Sequence, residues 1–190
     1  MNNANIIIYD DGSDNLETQK ILENTKYPVI VGNKNVGCYQ SYLDLLDYIK
    51  NNYQDVEYIL ILDNDVEVKP DFIKQITYVY QNAMYQFDTT NILLSGFNSS
   101  AHRHNINQQS KKLQHFTVKY STGAVCYMFH KDMLNTIRKG WEKQEDWGIS
   151  KIIKKQRYYF TVMNNGVVNH IGKIGLHFNE KGKFEHDPHF

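Results

Sequence analysis

The stretch Glu57–Pro70, EYILILDNDVEVKP, constrains the fold of this chain more than any other. Its run Tyr58–Leu62 is continuously apolar and has the length of a strand, as in strands buried on both faces of a parallel sheet. The run leads directly into Asp63 and Asp65, and side chains alternate along extended backbone, so we expect both carboxylates on one side of the strand's end. Ligands of open α/β sheets bind at the carboxyl ends of strands. The stretch therefore predicts an α/β fold with a ligand site after this strand.

Asp63 and Asp65 also indicate the chemistry of that site. Two neighbouring carboxylates repel each other unless a cation or a proton lies between them. Oxygen ligands suit Mg²⁺ or Mn²⁺, which in turn hold phosphates. The alternative is an acidic turn without a ligand, because Asp and Asn are common in turns and helix caps.

Strand and helix patterns alternate along the first half of the chain. The predicted strands are 6–9, 27–31, 57–62 and 92–94, and the intervening helices end near residues 25, 52 and 86. Asp14 and Glu17 have the spacing of a capping box for the first helix. The order βαβαβαβ is typical of a doubly wound, mostly parallel sheet.

The second half of the chain is less regular. Residues 98–115 are polar without a clear period, which predicts a long loop. The pattern then predicts β-structure in 116–129, helices in 131–139 and 145–156, and strands in 158–163 and 167–169, with Gly140 ending the first of these helices. No repeat or linker divides the chain, so we predict a single domain over residues 1–190.

The composition excludes several classes of protein. The 190 residues carry 21 basic and 21 acidic side chains, so the net charge is zero. The composition therefore shows no excess of positive charge that would favour binding to nucleic acid or an anionic membrane. No apolar run approaches the roughly 20 residues that span a bilayer, and no leader precedes Ile6. Cys38 and Cys126 are far apart in sequence, which favours reduced thiols. We expect a cytoplasmic protein with no membrane span and no nucleic-acid partner.

Four segments in this order carry a family resemblance: DDGSD at 10–14, NKNVG at 33–37, LDND followed by KPDF within 62–72, and QEDWG at 144–148. Together they resemble the GT-A nucleotide-sugar glycosyltransferases, most closely the inverting family 2. The resemblance covers about residues 6–172 and implies a GT-A (Rossmann-like), mostly parallel sheet flanked by helices. It implies a nucleotide-binding half at 1–97, an acceptor-binding half at 98–172 and a polar tail at 173–190.

The resemblance implies a metal-dependent transfer with inversion. The donor would be a nucleotide sugar, by default a UDP-sugar, the cofactor Mn²⁺ or Mg²⁺, and the acceptor a hydroxyl group of a glycan or another molecule. On the donor side, Asp10 or Asp11 would contact the base or ribose, and Asn35 and Gly37 would lie near the nucleotide. Asp63 would help to hold ribose or metal. The alternative for Asp10 and Asp11 is to cap the helix that follows them.

The remaining assignments concern the metal and the acceptor. Asp65 would bind the metal on the diphosphate, and His170 resembles a late histidine that many relatives use as an extra ligand. Asp146, in the pair with Glu145, would be the general base, and Trp147 would contact the acceptor. Alternatively, Glu145 and Asp146 are acidic residues of a first helical turn, where the helix dipole favours negative charge. The alternative for His170 is a histidine of the core.

One departure from the family bears on activity. The family begins with a β-α unit ahead of the DDGS-type strand, and here only residues 1–5 precede Ile6. We therefore expect a reduced fold, a truncated product, or a strand that another chain or a preceding segment supplies. Two other interpretations stay open at this stage, a non-catalytic glycosyltransferase-like module that binds a nucleotide sugar or a partner, and a receiver-like phosphoacceptor domain.

Overall fold

A computed structural model describes residues 4–99, 113–121, 123–142, 147–171 and 190. The chain divides into two compact units, Met1–Gln54 and Asp55–Phe190. The boundary falls inside the predicted nucleotide-binding half, 1–97, and the single-domain organisation stays a prediction. None of the helices in the described ranges is both long and apolar enough to cross a membrane.

The first unit is a β-α-β-α segment. Its elements are β1 (Ile8–Asp10), α1 (Leu16–Asn24), β2 (Val29–Val31) and α2 (Cys38–Asn52). Strands β1 and β2 pair in parallel, with Ile8 opposite Val29, and α1 forms the crossover that a parallel pair needs. Helix α2 buries Leu43, Leu46 and Ile49, which share one face because they lie three residues apart.

The capping box predicted at Asp14 is wrong. The N-cap of α1 is Asn15, whose side-chain oxygen accepts hydrogen bonds from the N–H groups of Glu17 and Thr18 at 2.9 and 3.1 Å. The helix therefore begins one residue later than the box requires. Asn and Asp are about equally good N-caps, so the sequence alone could not decide between Asp14 and Asn15.

The second unit contains a five-stranded sheet in the order β3–β7–β5–β8–β6, together with a separate pair β4–β9. Its strands are β3 (Tyr58–Leu62), β4 (Val66–Val68), β5 (Ile92–Ser95), β6 (Phe116–Val118), β7 (Cys126–His130), β8 (Tyr159–Met163) and β9 (Val168–His170). Its helices are α3 (Phe72–Phe87), α4 (Leu134–Trp141) and α5 (Gly148–Lys155), with a 3₁₀ turn at Lys131–Met133.

The α/β class is confirmed, and the five-stranded sheet is mixed. Strand β7 lies between β3 and β5 and is antiparallel to both, whereas β5 and β8 are parallel. It follows that β3, β5 and β8 run in the same direction and have their carboxyl ends at one edge of the sheet. The mostly parallel pairing predicted from the βαβ pattern is thus interrupted by β7, which comes from the second half of the chain.

The core of the second unit forms between α3 and this sheet. Helix α3 contributes Ile76, Val79, Tyr80 and Ala83, which are buried with Ile92 and other apolar residues of the central strands. The Tyr80 hydroxyl donates a hydrogen bond to the Ile92 carbonyl at 3.1 Å and accepts one from the His130 N–H at 2.8 Å. Burial raises the pKa of Tyr80 well above its usual value. Its polar end is therefore satisfied inside the core, as buried tyrosines generally are.

Gly140 lies inside α4 and does not end the helix, contrary to the prediction. A Cβ atom at this position would lie 2.8 Å from the Cα of Ile149 in α5. The two helices approach closely at this point, and only glycine leaves room for the backbone of α5. Glycine is here a packing residue, whereas the sequence pattern suggested a helix stop.

Candidate functional site

Asp63 lies where the sequence predicted, at the carboxyl end of β3. Its N–H donates a hydrogen bond to the Val125 carbonyl at 3.0 Å, which continues the pairing of β3 with the start of β7. Burial raises the pKa of Cys126 to about 12, and the nearby negative charge of Asp63 adds to the rise. The carboxylate is half-buried at the strand end, at the edge of the sheet where α/β proteins bind ligands.

The pairing of β4 with β9 brings Asp65 beside His170. The two strands are antiparallel, with Val66 opposite His170, and the N–H of Ile171 donates to the Asp65 carbonyl at 2.9 Å. At the other end of the pair, the Lys69 N–H donates to the Val167 carbonyl at 3.0 Å. The register of this ladder therefore fixes Asp65 and His170 next to each other.

The side chains of Asp65 and His170 also converge. Oδ2 of Asp65 lies 3.1 Å from Nε2 of His170, and 45% and 25% of the two side chains are exposed. The ring of Phe97, which is fully buried, meets the His170 ring edge-on with centroids 6.4 Å apart. His170 thus contacts both the carboxylate and an aromatic ring, and it remains partly accessible from solvent.

A carboxylate oxygen and an imidazole nitrogen at this separation fit a divalent metal such as Mn²⁺, which accepts both ligand types. Within the described ranges, no group of three or more His, Cys, Asp or Glu side chains converges to hold an ion. Mg²⁺ and similar ions are commonly held by one or two protein carboxylates, with substrate phosphates and water completing the shell. Asp65 and His170 are suited to hold an ion that a diphosphate brings with it.

In the first unit, the carboxylates of the DDGSD segment make hydrogen bonds within the chain. Buried Asp10 accepts from the N–H and the Oγ of Ser13 at 2.9 and 2.6 Å. Asp11 accepts from the N–H groups of Val36 and Gly37 at 3.1 and 2.9 Å. Since Gly37 is the N-cap of α2, Asp11 supports the start of α2 and not that of α1, the helix that follows it.

The DDGSD and NKNVG segments also pack backbone against backbone. Gly12 has a φ of 70°, and a Cβ there would lie 2.6 Å from the carbonyl carbon of Lys34. Asn35 Oδ1 accepts a hydrogen bond from the Gly37 N–H at 3.1 Å, and Gly37 itself has a φ of 85°. The two segments thus form one local structure, in which two glycines occupy positions that other residues would fill only with strain.

The predicted acceptor residues are described only in part. Glu145 and Asp146 lie outside the described residues, as does the greater part of the predicted loop 98–115. Trp147 is the N-cap of α5, and 48% of it is exposed. Its indole is accessible, and its contact with an acceptor stays a prediction.

Sequence reasoning missed strand β4 and a polar network around Lys119. The alternation of Val66, Glu67 and Val68 is the signal of a short strand and could have revealed β4. Lys119 is 8% exposed, and an isolated lysine gives no sign of burial in its sequence.

The α/β fold, the acidic end of β3 and the contact of Asp65 with His170 are compatible with the class of the GT-A glycosyltransferases. The family profile described as glycosyl transferase family 2 matches residues 1–140. The chain therefore belongs to glycosyl transferase family 2, which favours this interpretation over the receiver-like alternative. A sequence comparison with curated proteins gives no significant match.

The same fold is found in a solved glycosyltransferase structure. The chain is similar to the crystal structure of GalNAc-T7 with UDP, GalNAc and Mn²⁺, with a TM-score of 0.63 and 12% identity. The similarity covers 88% of this chain and 37% of that one, so the chain spans little more than a third of that protein's length. A197 from STIV is also similar, with a TM-score of 0.47, 13% identity, and coverage of 86% of this chain and 83% of that one.

Proposed function

We propose that this chain is a metal-dependent glycosyltransferase that moves a sugar from a UDP-sugar to an acceptor hydroxyl with inversion, with Asp146 as the general base. The observation that carries the proposal is the convergence of Asp65 and His170 in a member of glycosyl transferase family 2. A carboxylate and an imidazole aligned by a β-ladder are a pre-organised pair of metal ligands. An acidic turn without a ligand would not need a histidine placed beside its carboxylate.

Asp65 and His170 would hold the metal in this function, and Asp63, at the end of β3, would help to hold the ribose or the metal. When bound, Mn²⁺ or Mg²⁺ neutralises the negative charge that develops on the leaving diphosphate. The β4–β9 ladder keeps both ligands in register before substrate arrives, which lowers the entropy cost of binding. The edge-on contact with Phe97 supports the orientation of the His170 ring.

The nucleoside would be recognised by residues of the first unit. The resemblance to the family assigns this contact to Asp10 or Asp11, with Asn35 and Gly37 near the nucleotide. The N–H groups of Val36 and Gly37 donate to the Asp11 carboxylate, and these bonds fix the backbone of the segment that contains Asn35 and Gly37. UDP is the proposed nucleotide, since the similar GalNAc-T7 structure contains UDP with Mn²⁺.

Asp146 would take the proton of the acceptor hydroxyl as that oxygen attacks the anomeric carbon. A positioned base typically contributes about 10²–10⁴-fold to the rate. Direct displacement with one base inverts the anomeric centre. Glu145 would lie beside the base and Trp147 would contact the acceptor, where its exposed ring could pack against a sugar face.

The test is the hydrolysis of UDP-GalNAc and other UDP-sugars with water as the acceptor, in the presence of Mn²⁺ and again with EDTA. We expect UDP release that requires the metal and is lost in Asp146→Asn, whereas that variant still binds UDP. The matched control is Asp132→Asn, which changes an exposed carboxylate at the far end of β7. Metal-dependent UDP binding without any transfer or hydrolysis would contradict catalysis and favour the non-catalytic module.

A further inference from the structure

The β4–β9 pair, which brings Asp65 and His170 together, is a sheet separate from the five-stranded one. Two-stranded pairs are only marginally stable by themselves, so the position of His170 depends on what fixes β9 to the rest of the unit. Strand β9 begins directly after Val167, which is almost fully buried. The contacts of Val167 and its neighbours therefore show how His170 is placed.

Gly96 fixes the start of β9 to the end of β5. Its carbonyl accepts hydrogen bonds from the N–H groups of Val167 and Val168 at 2.9 and 3.3 Å. A Cβ atom at Gly96 would lie 3.2 Å from Cγ2 of Val167 and 3.0 Å from Sγ of Cys126, which is closer than such contacts usually are. A side chain at this position would therefore press on the residue that precedes β9.

Ser95, the last residue of β5, fixes the residue that follows Gly96. Its Oγ donates a hydrogen bond to the Phe97 carbonyl at 3.0 Å and accepts one from the Phe97 N–H at 3.1 Å. Ser95 and Phe97 are both fully buried, where hydrogen bonds are stronger than in water. We call Ser95, Gly96 and Phe97 the β5 bend, and the Ser95 hydroxyl stabilises its conformation.

The β5 bend contacts β9 at two points. Gly96 bonds to the backbone at the start of the strand, and the ring of Phe97 meets the ring of His170, the last residue of the strand. The ring centroids are 6.4 Å apart and the ring planes differ by 77°. The bend follows the carboxyl end of β5, at the edge of the sheet where Asp63 follows β3. It therefore links the strand that contains His170 to the sheet edge that contains Asp63.

Lys69 bonds to the same segment from the side of β4. Its N–H donates to the Val167 carbonyl at 3.0 Å, and its Nζ donates to the Gly166 carbonyl at 2.8 Å. The N–H and the carbonyl of Val167 are thus bonded to Gly96 and to Lys69, respectively. One residue therefore joins the attachment of β9 to the sheet with the register of the β4–β9 ladder.

We propose that Ser95 and Gly96 are positioning residues for His170 as a metal ligand, an inference that rests on the proposed function. They act through the backbone of β9 and through the Phe97 ring, and they touch neither metal nor substrate. Removal of groups that orient a metal-binding histidine commonly costs about 10–100-fold in metal affinity. Disturbance of the β5 bend should therefore weaken Mn²⁺ binding more than a comparable loss elsewhere in the same sheet.

The test compares Ser95→Ala with Thr161→Val. Each substitution removes a fully buried hydroxyl from the five-stranded sheet, and the Thr161 hydroxyl donates to the Leu93 carbonyl at 3.2 Å, which is not part of the β5 bend. Gly96→Ala is the second bend variant, because its Cβ would press on Val167.

Two sets of measurements are made on each variant. In the metal-free protein, NMR records the proton and nitrogen signals of the His170 ring, and hydrogen exchange is measured at the amides of Val167 and Val168. Mn²⁺ affinity is then measured at a fixed UDP concentration, together with the thermal midpoint of unfolding.

In Ser95→Ala we expect displaced His170 ring signals, about tenfold faster exchange at Val167 and Val168, and Mn²⁺ affinity that is lower by about tenfold or more. Thr161→Val should lower the thermal midpoint to a similar extent, because both variants lose a buried hydrogen-bonded hydroxyl. Its His170 signals and Mn²⁺ affinity should equal those of the parent protein. This difference distinguishes positioning of His170 from a general loss of stability.

Unchanged ring signals and Mn²⁺ affinity in both Ser95→Ala and Gly96→Ala would overturn the inference, and so would an equal loss of affinity in Thr161→Val. If the parent protein binds no Mn²⁺ in the presence of UDP, the proposed function fails. The ring signals and exchange rates of the metal-free protein then decide alone whether the β5 bend orients His170.

Discussion

Oδ2 of Asp65 lies 3.1 Å from Nε2 of His170, although the two residues are 105 positions apart in sequence. The β4–β9 ladder creates this contact, and each side chain alone has an ordinary structural explanation. Together they are a carboxylate and an imidazole that converge at the position proposed for the metal. The proposed function depends on this pair more than on any other feature of the second unit.

Substitution of His170 tests its role as a metal ligand. We expect His170→Ala to weaken Mn²⁺ affinity in the presence of UDP by roughly tenfold or more, a loss in the range seen for residues that support metal sites. The measurement is a Mn²⁺ titration at fixed UDP concentration. Glu67→Gln is the matched control, because Glu67 is exposed on the same ladder. An unaltered titration with a normal circular dichroism spectrum would assign His170 to the core.

Removal of the Asp11 carboxylate should loosen the start of α2. Asp11→Ala takes away the acceptor for the Val36 and Gly37 N–H groups, and the loss of a helix-capping side chain typically lowers the free energy of unfolding by about 1 kcal/mol. Urea unfolding with far-UV circular dichroism measures the change. Asp14→Ala is the control, since Asp14 is exposed and does not cap α1. Equal effects of the two substitutions would contradict the assigned role of Asp11.

The two cysteines should differ sharply in reactivity. Cys38 is exposed, whereas Cys126 is buried and its pKa is raised to about 12, so it stays a neutral thiol in the folded protein. We expect one equivalent of thiol to react rapidly with a disulfide reagent at pH 8 and the second only in denaturant. Cys38→Ser should remove the rapid phase. A rapid phase that persists in this variant would show that Cys126 is accessible.

The raised pKa of Cys126 also makes the free energy of unfolding depend on pH. The unfolded thiol ionises near 9, whereas the folded one ionises near 12. Between these values the folded state binds more protons, so the free energy of unfolding falls as the pH rises. We expect this contribution to be fully present below pH 9. Urea midpoints of the parent and Cys126→Ala, compared at pH 8 and pH 10, measure it. The contribution of the Cys126 thiol would be contradicted if the urea midpoint of the parent falls between pH 8 and pH 10 by no more than that of Cys126→Ala.

Alanine at position 140 should destabilise the protein. Glycine to alanine in a helix usually stabilises by about 1 kcal/mol. At this site the new Cβ would lie 2.8 Å from Ile149 Cα, and overpacking of a core commonly costs about 1–3 kcal/mol. The expected result is a lower thermal midpoint than for the parent. Lys139→Ala, one residue earlier in α4, is the control, and a higher midpoint for Gly140→Ala would disprove the close contact.

Local pattern predicted much of the fold, because burial and periodicity are properties of neighbouring residues. The run Tyr58–Leu62 forms β3 as predicted, and α2 and α3 lie where the spacing of apolar residues placed them. The pairing of β7 between β3 and β5 was not predictable, since strand order depends on contacts across the whole sheet. The polar network around Lys119 escaped prediction for the same reason, because Asn98, Lys119 and Asn164 come from three separate parts of the chain.

The sequence suggests the candidate site residues one by one, but it does not show how they are arranged. Asp63, Asp65 and His170 were proposed from their residue types and the family resemblance, whereas the contact between Asp65 and His170 depends on β4, which the sequence reading missed. For Asp10 and Asp11, residue type alone leaves the role open. Their type suggests a ligand or a helix cap, and only the structure reveals that Asp11 bonds to Val36 and Gly37, 25 and 26 positions away.

Calorimetric titration of UDP into the purified protein, with Mn²⁺ and again with EDTA, tests the central claim most directly. The account predicts binding that requires the metal and is lost in Asp65→Asn, while Glu67→Gln binds as the parent protein does. Binding that is equal with Mn²⁺ and EDTA, or no binding in either condition, would contradict a metal-dependent UDP site at Asp65 and His170.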